Sequence, residues 1–394
     1  MAEVLLSPGV LANENDSSFL QAQPVQAGAA ILGPTVKGPV GIPTVVTTYS
    51  EYQNKFGAVV ESGSAQYTYF TSIAAYNYFQ QGGDSLLVTR IVSGSYTPAT
   101  SSKVANNDAS ISSSFVLETL SEGTDQNSTS SLGSAGQLAS GSSDNIRWEI
   151  VSPNTASGTF SLLIRRGDDI TTSKTILETW ANLSLDPNAS NYIEKVIGNS
   201  TQTVTEDSGT GEYYVANAGT YNTISNFVRV KSVAAKTLNY FDNAGNAKAE
   251  FTASIPTAQS GTFGDATGTA FATINGDFYE NIGTNTQGLV AGNYTISLNL
   301  LANQDDYKYN LIVAPGLTKE SHSAPLTTMV DTSQQRGDNL SIIDLVNYGA
   351  EVNTVVNDAS AVDSSYAATY WPWVQTIDPD LGSQVWVPAS TMMP

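Results

Sequence analysis

Apolar residues gather in short, dense runs near the two ends of the chain and thin out through its middle. Residues 29–46 (AAILGPTVKGPVGIPTVV) break into apolar runs separated by Gly-Pro pairs, which predicts strands joined by tight turns. Thr48 stands three residues before Glu51 and Gly57 follows Phe56, a capping-box start and a glycine stop that predict a helix over 48–56. Tyr67, Phe70, Ile73, Ala74 and Tyr78 recur at i, i+3 and i+4, so a second helix lays one apolar face on a core and ends at Gly82-Gly83. LLVTRIV (86–92) reads as a buried strand.

After Tyr96 the pattern weakens. Residues 97–145 are rich in Ser, Asn, Gly and Thr, with SSSFVLETL as one strand; IRWEIV and FSLLIRR, with a turn between them, predict a hairpin. Residues 176–183 and 191–197 read as two short helices. Residues 203–284 return to short Gly/Thr/Ser-rich segments with scattered aromatics, which suits a β-sandwich or barrel. The end-type pattern resumes near Leu298: YNLIVAPG (309–316) is a strand, 325–335 a helix, LSIIDLV (340–346) a strand, and SSYAATYWPWV (364–374) leads into a third. LLVTRIV, LIVA, SIIDLV and TYWPWV are near-continuous apolar runs, as expected of neighbouring strands covered on both faces. The predicted fold class is α+β / α/β, a discontinuous α/β core from both chain ends with inserted β-rich domains. The expected division is an N-terminal arm (1–20), the core (21–95 and 300–394) and inserted β-rich outer material (96–299).

Composition narrows the function. The 394 residues carry 36 acidic and 16 basic side chains, a formal charge of −20, which argues against a broad nucleic-acid footprint. Charged residues are 13% of the chain, about half the globular average. The absence of cysteine removes disulfides, thiolate metal sites and thiol catalysis. No apolar run is long enough to cross a bilayer, and Pro8-Gly9 interrupts the N-terminus too early for a signal peptide. A soluble protein made in the cytoplasm is expected.

Candidate chemistry is sparse. His322 is the single histidine and has no nucleophile elbow to serve, so it reads as an ordinary loop histidine. Asp168-Asp169 and Asp305-Asp306 read as solvated turns. GPTVKGPVG lacks the Lys-Ser/Thr end of a phosphate loop, and Pro39 lacks an N–H, so a turn is expected there. NGDFYENIG (275–283) lacks the alternating ligands of a calcium loop. Tyr370, Trp371 and Trp373 read as core or subunit-contact packing rather than a sugar platform. No catalytic residue, cofactor or metal ligand is expected, and the protein is not expected to be an enzyme.

The order and spacing of LLSPGV, ILGPTVKGPV, YSEYQNKFG, YNYFQQGGDSLLVTRIV, LETWANLSLDPNASNYIEKVIG, NLIVAPGL, SIIDLV, YAATYWPWVQTIDP and WVPAS resemble the contractile tail-sheath proteins of long-tailed bacteriophages. The resemblance runs through most of the chain, and the AATYWPWV and VPAS pair is its most specific part. It implies a structural subunit of the virion tail, assembled in the bacterial host cytoplasm, stacking as six-membered rings around a tail tube and contracting on a baseplate trigger. The implied partners are the chain itself, the tail tube protein, and the baseplate and tail terminator proteins, with no direct nucleic acid and no membrane. Val4, Leu5, Leu6, Pro8, Gly9 and Val10 form a candidate self-assembly arm that would add as a strand to a neighbour's sheet. In the family a further stretch follows Val-Pro-x-Ser and supplies a C-terminal arm; here the sequence stops at Pro394, so this chain is expected to be monomeric by itself. The alternative, a β-rich surface adhesin or glycan-binding module, would use the Ser/Thr/Gly/Asn-rich middle and leaves the two ends unexplained.

Overall fold

The computed structural model describes residues 24–62, 65–269 and 278–392. The N-terminal third contains β1 (Val25–Gly33), β2 (Thr44–Val46), α1 (Tyr49–Phe56), β3 (Val60–Ser62), β4 (Ala65–Tyr67), α2 (Phe70–Gln80) and β5 (Leu86–Arg90). The middle contains β6 (Pro98–Ser101), β7 (Phe115–Glu122), β8 (Ile146–Asn154), β9 (Thr159–Arg166), β10 (Ile176–Ser184), α3 (Ile193–Ile197), β11 (Thr201–Glu206), β12 (Tyr213–Ala218), β13 (Val228–Val233), α4 (Ala249–Thr252) and β14 (Gln259–Gly264). The chain finishes with β15 (Asn285–Thr286), β16 (Leu289–Val290), α5 (Thr295–Leu301), β17 (Tyr307–Thr318), α6 (Ser323–Arg336), β18 (Leu340–Asp344), α7 (Val352–Ser360), β19 (Ala367–Thr369), β20 (Val374–Ile377) and β21 (Gln384–Val387).

Both ends of the chain build one sheet, in the order β19-β18-β17-β1-β5-β2, in which every pair is parallel except β2 with β5. Parallel strands need crossovers, and α1, α2, α6 and α7 lie in those connections. The strands are apolar without alternation because both faces are covered. Ala30 and Leu32 of β1 face α5 and α6, meeting Leu298, Leu301, Leu326 and Met329. Ala29 and Ile31 face α1 and α2, meeting Tyr52, Phe56, Ala74 and Tyr78. The discontinuous core is therefore present, with Ile31 registered against Val313 of β17 on one side and Val88 of β5 on the other.

The inserted material forms a second, seven-stranded sheet, β10-β9-β8-β14-β6-β7-β13, with every pair antiparallel. The IRWEIV and FSLLIRR runs make its β8–β9 hairpin as expected. Trp148, Phe115, Phe160, Leu162 and Ile164 fill its core, and the Trp148 indole N–H donates to the Thr262 carbonyl. The core extends beyond the two chain ends: Leu289, Tyr294, Leu298 and Leu300 are buried in the α/β cluster, and Val204, Tyr213 and Val215 of the β11–β12 hairpin pack against it.

Three expectations are corrected. Residues 176–183 form a strand, β10, not a helix. Register shifts between Ile176 and Glu178 and between Trp180 and Leu183 insert extra residues, so Leu177, Trp180 and Leu183 sit three apart and imitate helical spacing. TYWPWV is not a core strand: pairing with β18 ends at Thr369, and Val374 begins a separate two-stranded hairpin. Pro372, in a cis bond to Trp371, has no N–H to offer a ladder. LLVTRIV and LIVA are not direct neighbours either, because β1 lies between them.

Candidate assembly surface and the joints behind it

The segments that carry the sequence pattern converge on three joints. The first links the core to the inserted sheet. Arg90, fully buried at the end of β5, donates from Nη1 to the carbonyls of Gly38 and Glu122, both at 2.7 Å, and from Nη2 to Val36 at 3.2 Å. Lys37 pairs with Asp144 at 3.2 Å, and the Gly38 N–H donates to Ser121 Oγ at 2.6 Å. The GPTVKGPVG segment is thus a turn, as expected. Its glycine is required: Gly38 has φ +113°, and a Cβ there would stand 2.6 Å from the Phe56 ring. A cleft of about 530 Å³ opens beside this joint, but its three cations are each neutralised, Lys37 by Asp144, Lys55 by Glu51 and Arg229 by Glu118.

The second joint closes the C-terminal segment on the core. Asp344, at the end of β18, is buried and accepts from Ser390 Oγ (2.6 Å), Ser390 N (3.2 Å) and Gly316 N (3.4 Å). It ties together the SIIDLV, NLIVAPG and VPAS runs. Burial pushes its carboxyl up to about 6, against the lowering effect of these donors. The third joint fixes the β20–β21 hairpin: Asp380 accepts from Tyr49 Oη (2.6 Å) and Gln53 Nε2 (2.7 Å) on α1. Burial raises the Asp380 carboxyl as well.

These joints hold out a partly apolar surface. Tyr370 and Trp371 are 49% and 45% exposed and follow β19, a three-residue edge strand. Trp373, by contrast, is buried against Phe70, with its indole N–H on the Val346 carbonyl. The expectation of packing for this aromatic trio therefore divides: one ring is core and two are offered to solvent. On α7, Val355 and Ala359 pack on the core while Val352 and Val356 are exposed. At 100° per residue the two stripes are about 60° apart, so one apolar face is only half covered.

The other sequence candidates resolve individually. Val4, Leu5, Leu6, Pro8, Gly9 and Val10 lie outside the described residues, as do 275–277. His322 is buried rather than a surface loop residue: its Nδ1 accepts from Thr318 N at 3.2 Å, and Nε2 lies 3.3 Å from Thr286 Oγ1. Burial holds its pKa below the usual value. Asp305 and Asp306 are exposed in a turn, but Asp169 is not solvated. It is buried and takes both Nε and Nη2 of Arg165, at 2.7 and 2.8 Å, with Arg147 at 3.5 Å. No group of three or more His, Asp or Glu side chains is placed to hold a metal among the described residues. No described helix is long and apolar enough to cross a membrane.

No known family profile matches the chain, and no curated protein does. Among solved structures, the sheath tail protein of Desulfitobacterium hafniense aligns over 97% of this chain and 60% of its own length, at 13% identity and a TM-score of 0.38. The sheath tail protein of Listeria innocua aligns over 94% of this chain and 56% of its own length, at 10% identity and a TM-score of 0.43. The chain spans less than two thirds of the length of either.

Proposed function

We propose that this chain is a structural subunit of a contractile tail sheath, packing in stacked six-membered rings around a tail tube and shortening when triggered. The observation that carries the reading is the convergence of the sheath-like segments. ILGPTVKGPV, VTRIV, NLIVAPG, SIIDLV and VPAS are distant in sequence, yet they supply the residues of the Arg90 and Asp344 joints. The half-covered α7 face and the exposed Tyr370 and Trp371 supply apolar area for contacts between copies. Contacts that repeat without closing along an axis produce a tube, and better burial in the shortened state would provide the work.

Negative-stain microscopy of the purified protein, alone and mixed with the tube protein of the same tail, tests this. Rings or striated tubes in either sample support the reading. Monodisperse particles in both, with affinity for polysaccharide, would overturn it in favour of a glycan-binding module.

A further inference from the structure

The cleft beside the core–insert joint, of about 530 Å³, has the size of a small-ligand site and lies where such sites concentrate, between two folded units. Three walls enclose it. Pro39 and Asn54 come from the core, Leu120 and Phe227 from the inserted sheet and the loop leading into β13, and Gln202 and Asn217 from the β11–β12 hairpin. The cleft is open to water: Asn54, Gln202, Asn217 and Asn222 are exposed, and Pro39, Leu120 and Phe227 keep part of their surface in solvent.

Its wall carries no unpaired charge. The ionisable side chains lining it are Lys37, Lys55, Arg229 and Asp144; Lys37 pairs with Asp144 at 3.2 Å, Lys55 with Glu51 at 2.8 Å and Arg229 with Glu118 at 2.7 Å. A charged ligand would enter without a counter-ion to meet it, and its desolvation would go uncompensated. The wall offers neutral donors and acceptors instead. Gln202 and Asn217 stand directly opposite each other on β11 and β12, and Gln202 Nε2 donates to Asn217 Oδ1 at 3.2 Å. That bond uses one half of each amide and leaves Gln202 Oε1 as an acceptor beside Asn217 Nδ2 as a donor. The side chains of Asn54 and Asn222 have no hydrogen-bond partner among the described residues. The hairpin that carries the amide pair is held in place: Ser200 Oγ lies 3.1 Å from Thr223 Oγ1 at its base, and Val204 and Val215 pack on the core.

We propose that this cleft binds an uncharged oligosaccharide. A sugar hydroxyl donates and accepts at once, which matches an amide oxygen and an amide nitrogen set side by side. The apolar faces of the sugar rings suit the exposed parts of Pro39, Leu120 and Phe227. Such a ligand would touch core, insert and hairpin together and restrain the joint. Tube formation and sugar binding are separate properties, and failure of either leaves the other standing.

Isothermal titration of the intact protein with maltohexaose, cellohexaose and chitohexaose tests the proposal, with oligogalacturonate as the anionic control. Saturable one-site binding of at least one neutral sugar is expected, and none of the anionic control. Gln202→Ala with Asn217→Ala changes two exposed side chains, so the double variant should fold as before by circular dichroism and bind about 10-fold more weakly. No saturable heat with any of the three neutral sugars would overturn the proposal without any variant. Binding of oligogalacturonate alone would overturn the ligand class, and equal sugar binding by the folded double variant would overturn the placement.

Discussion

The two sheets solve the same problem, burying polar chain, by opposite means. In the α/β core, the strands are mostly apolar on both faces, with Thr89 and Ser341 as buried hydroxyl exceptions, and the buried charged groups Asp344 and Arg90 sit at strand ends. In the inserted sheet, a charged network is carried on the strands and the turn after them: Arg147, Glu149 and Arg165 with Asp169 and Lys174. Both sheets gain from area removed from water, but the insert also depends on mutual satisfaction of charges that are individually expensive to bury. The consequence is a difference in what breaks each sheet.

The largest effect is expected from Asp169→Ala. It leaves Arg165 and Arg147 buried with much of their countercharge gone, at a cost of about 3–5 kcal/mol. Amide hydrogen exchange should lose protection along β8, β9 and β10 while β1 and β17 keep theirs. Uniform loss in both sheets would show that the two are one cooperative unit. The complementary change is Ile31→Ala in the core, where both neighbours in the sheet are also buried. A cost of about 3 kcal/mol is expected from lost burial and the cavity left behind. Protection should then fall first in β1, β5 and β17.

The contrast also explains what could be read from sequence. The core was legible because two-sided burial writes itself as unbroken apolar runs, so β1, β5, β17 and β18 were anticipated within a few residues. The insert was harder, since bulges disturb the two-residue period and β10 looked helical. Helix α7 was missed altogether: only one stripe of it is covered, and its Asn, Thr and Ser content masks the valines. The joints were invisible for another reason. Nothing around Asp344 or Arg90 in the sequence says that the partner is Ser390 or Glu122. The candidate surface was only half legible, since the aromatic cluster at 370–373 stood out but not which of its rings is buried.

Asp344 gives the core a pH signature of its own. Its carboxyl is raised to about 6 in the fold, above about 3.9 in an unfolded chain. The folded state therefore binds the proton more tightly, and the associated stabilisation is full below the unfolded value and lost as pH rises through 6. Two units correspond to roughly 3 kcal/mol as an upper bound. Asp125, raised to about 6 by burial, acts with the same sign. Denaturant midpoints measured from pH 4 to 7 should decline, and Asp344→Asn should flatten much of that slope. An unchanged slope in the variant would assign the effect to other groups. Ser390→Ala, which removes the shortest bond to Asp344, should cost about 1–2 kcal/mol and steepen the decline.

The smallest effect on stability, and the sharpest on assembly, is expected at the exposed face. Trp371 and Val356 keep about half of their surface in water, so Val356→Asp should change unfolding by about 0.5 kcal/mol and Trp371→Ala by about 1 kcal/mol. If copies pack through this face, the same changes act where binding energy concentrates, because large aromatics dominate interfaces and a buried unpaired carboxylate opposes docking. The double variant should remain folded by circular dichroism and fail to sediment as tubes with the tube protein. A counterpart change on the exposed side of the inserted sheet, Ile176→Asp, should leave tubes intact if the inserted material lies on the outside of the tube, as the sequence leads one to expect. The reverse pattern, with tubes lost only in the Ile176 variant, would move the subunit contacts from the core to the insert.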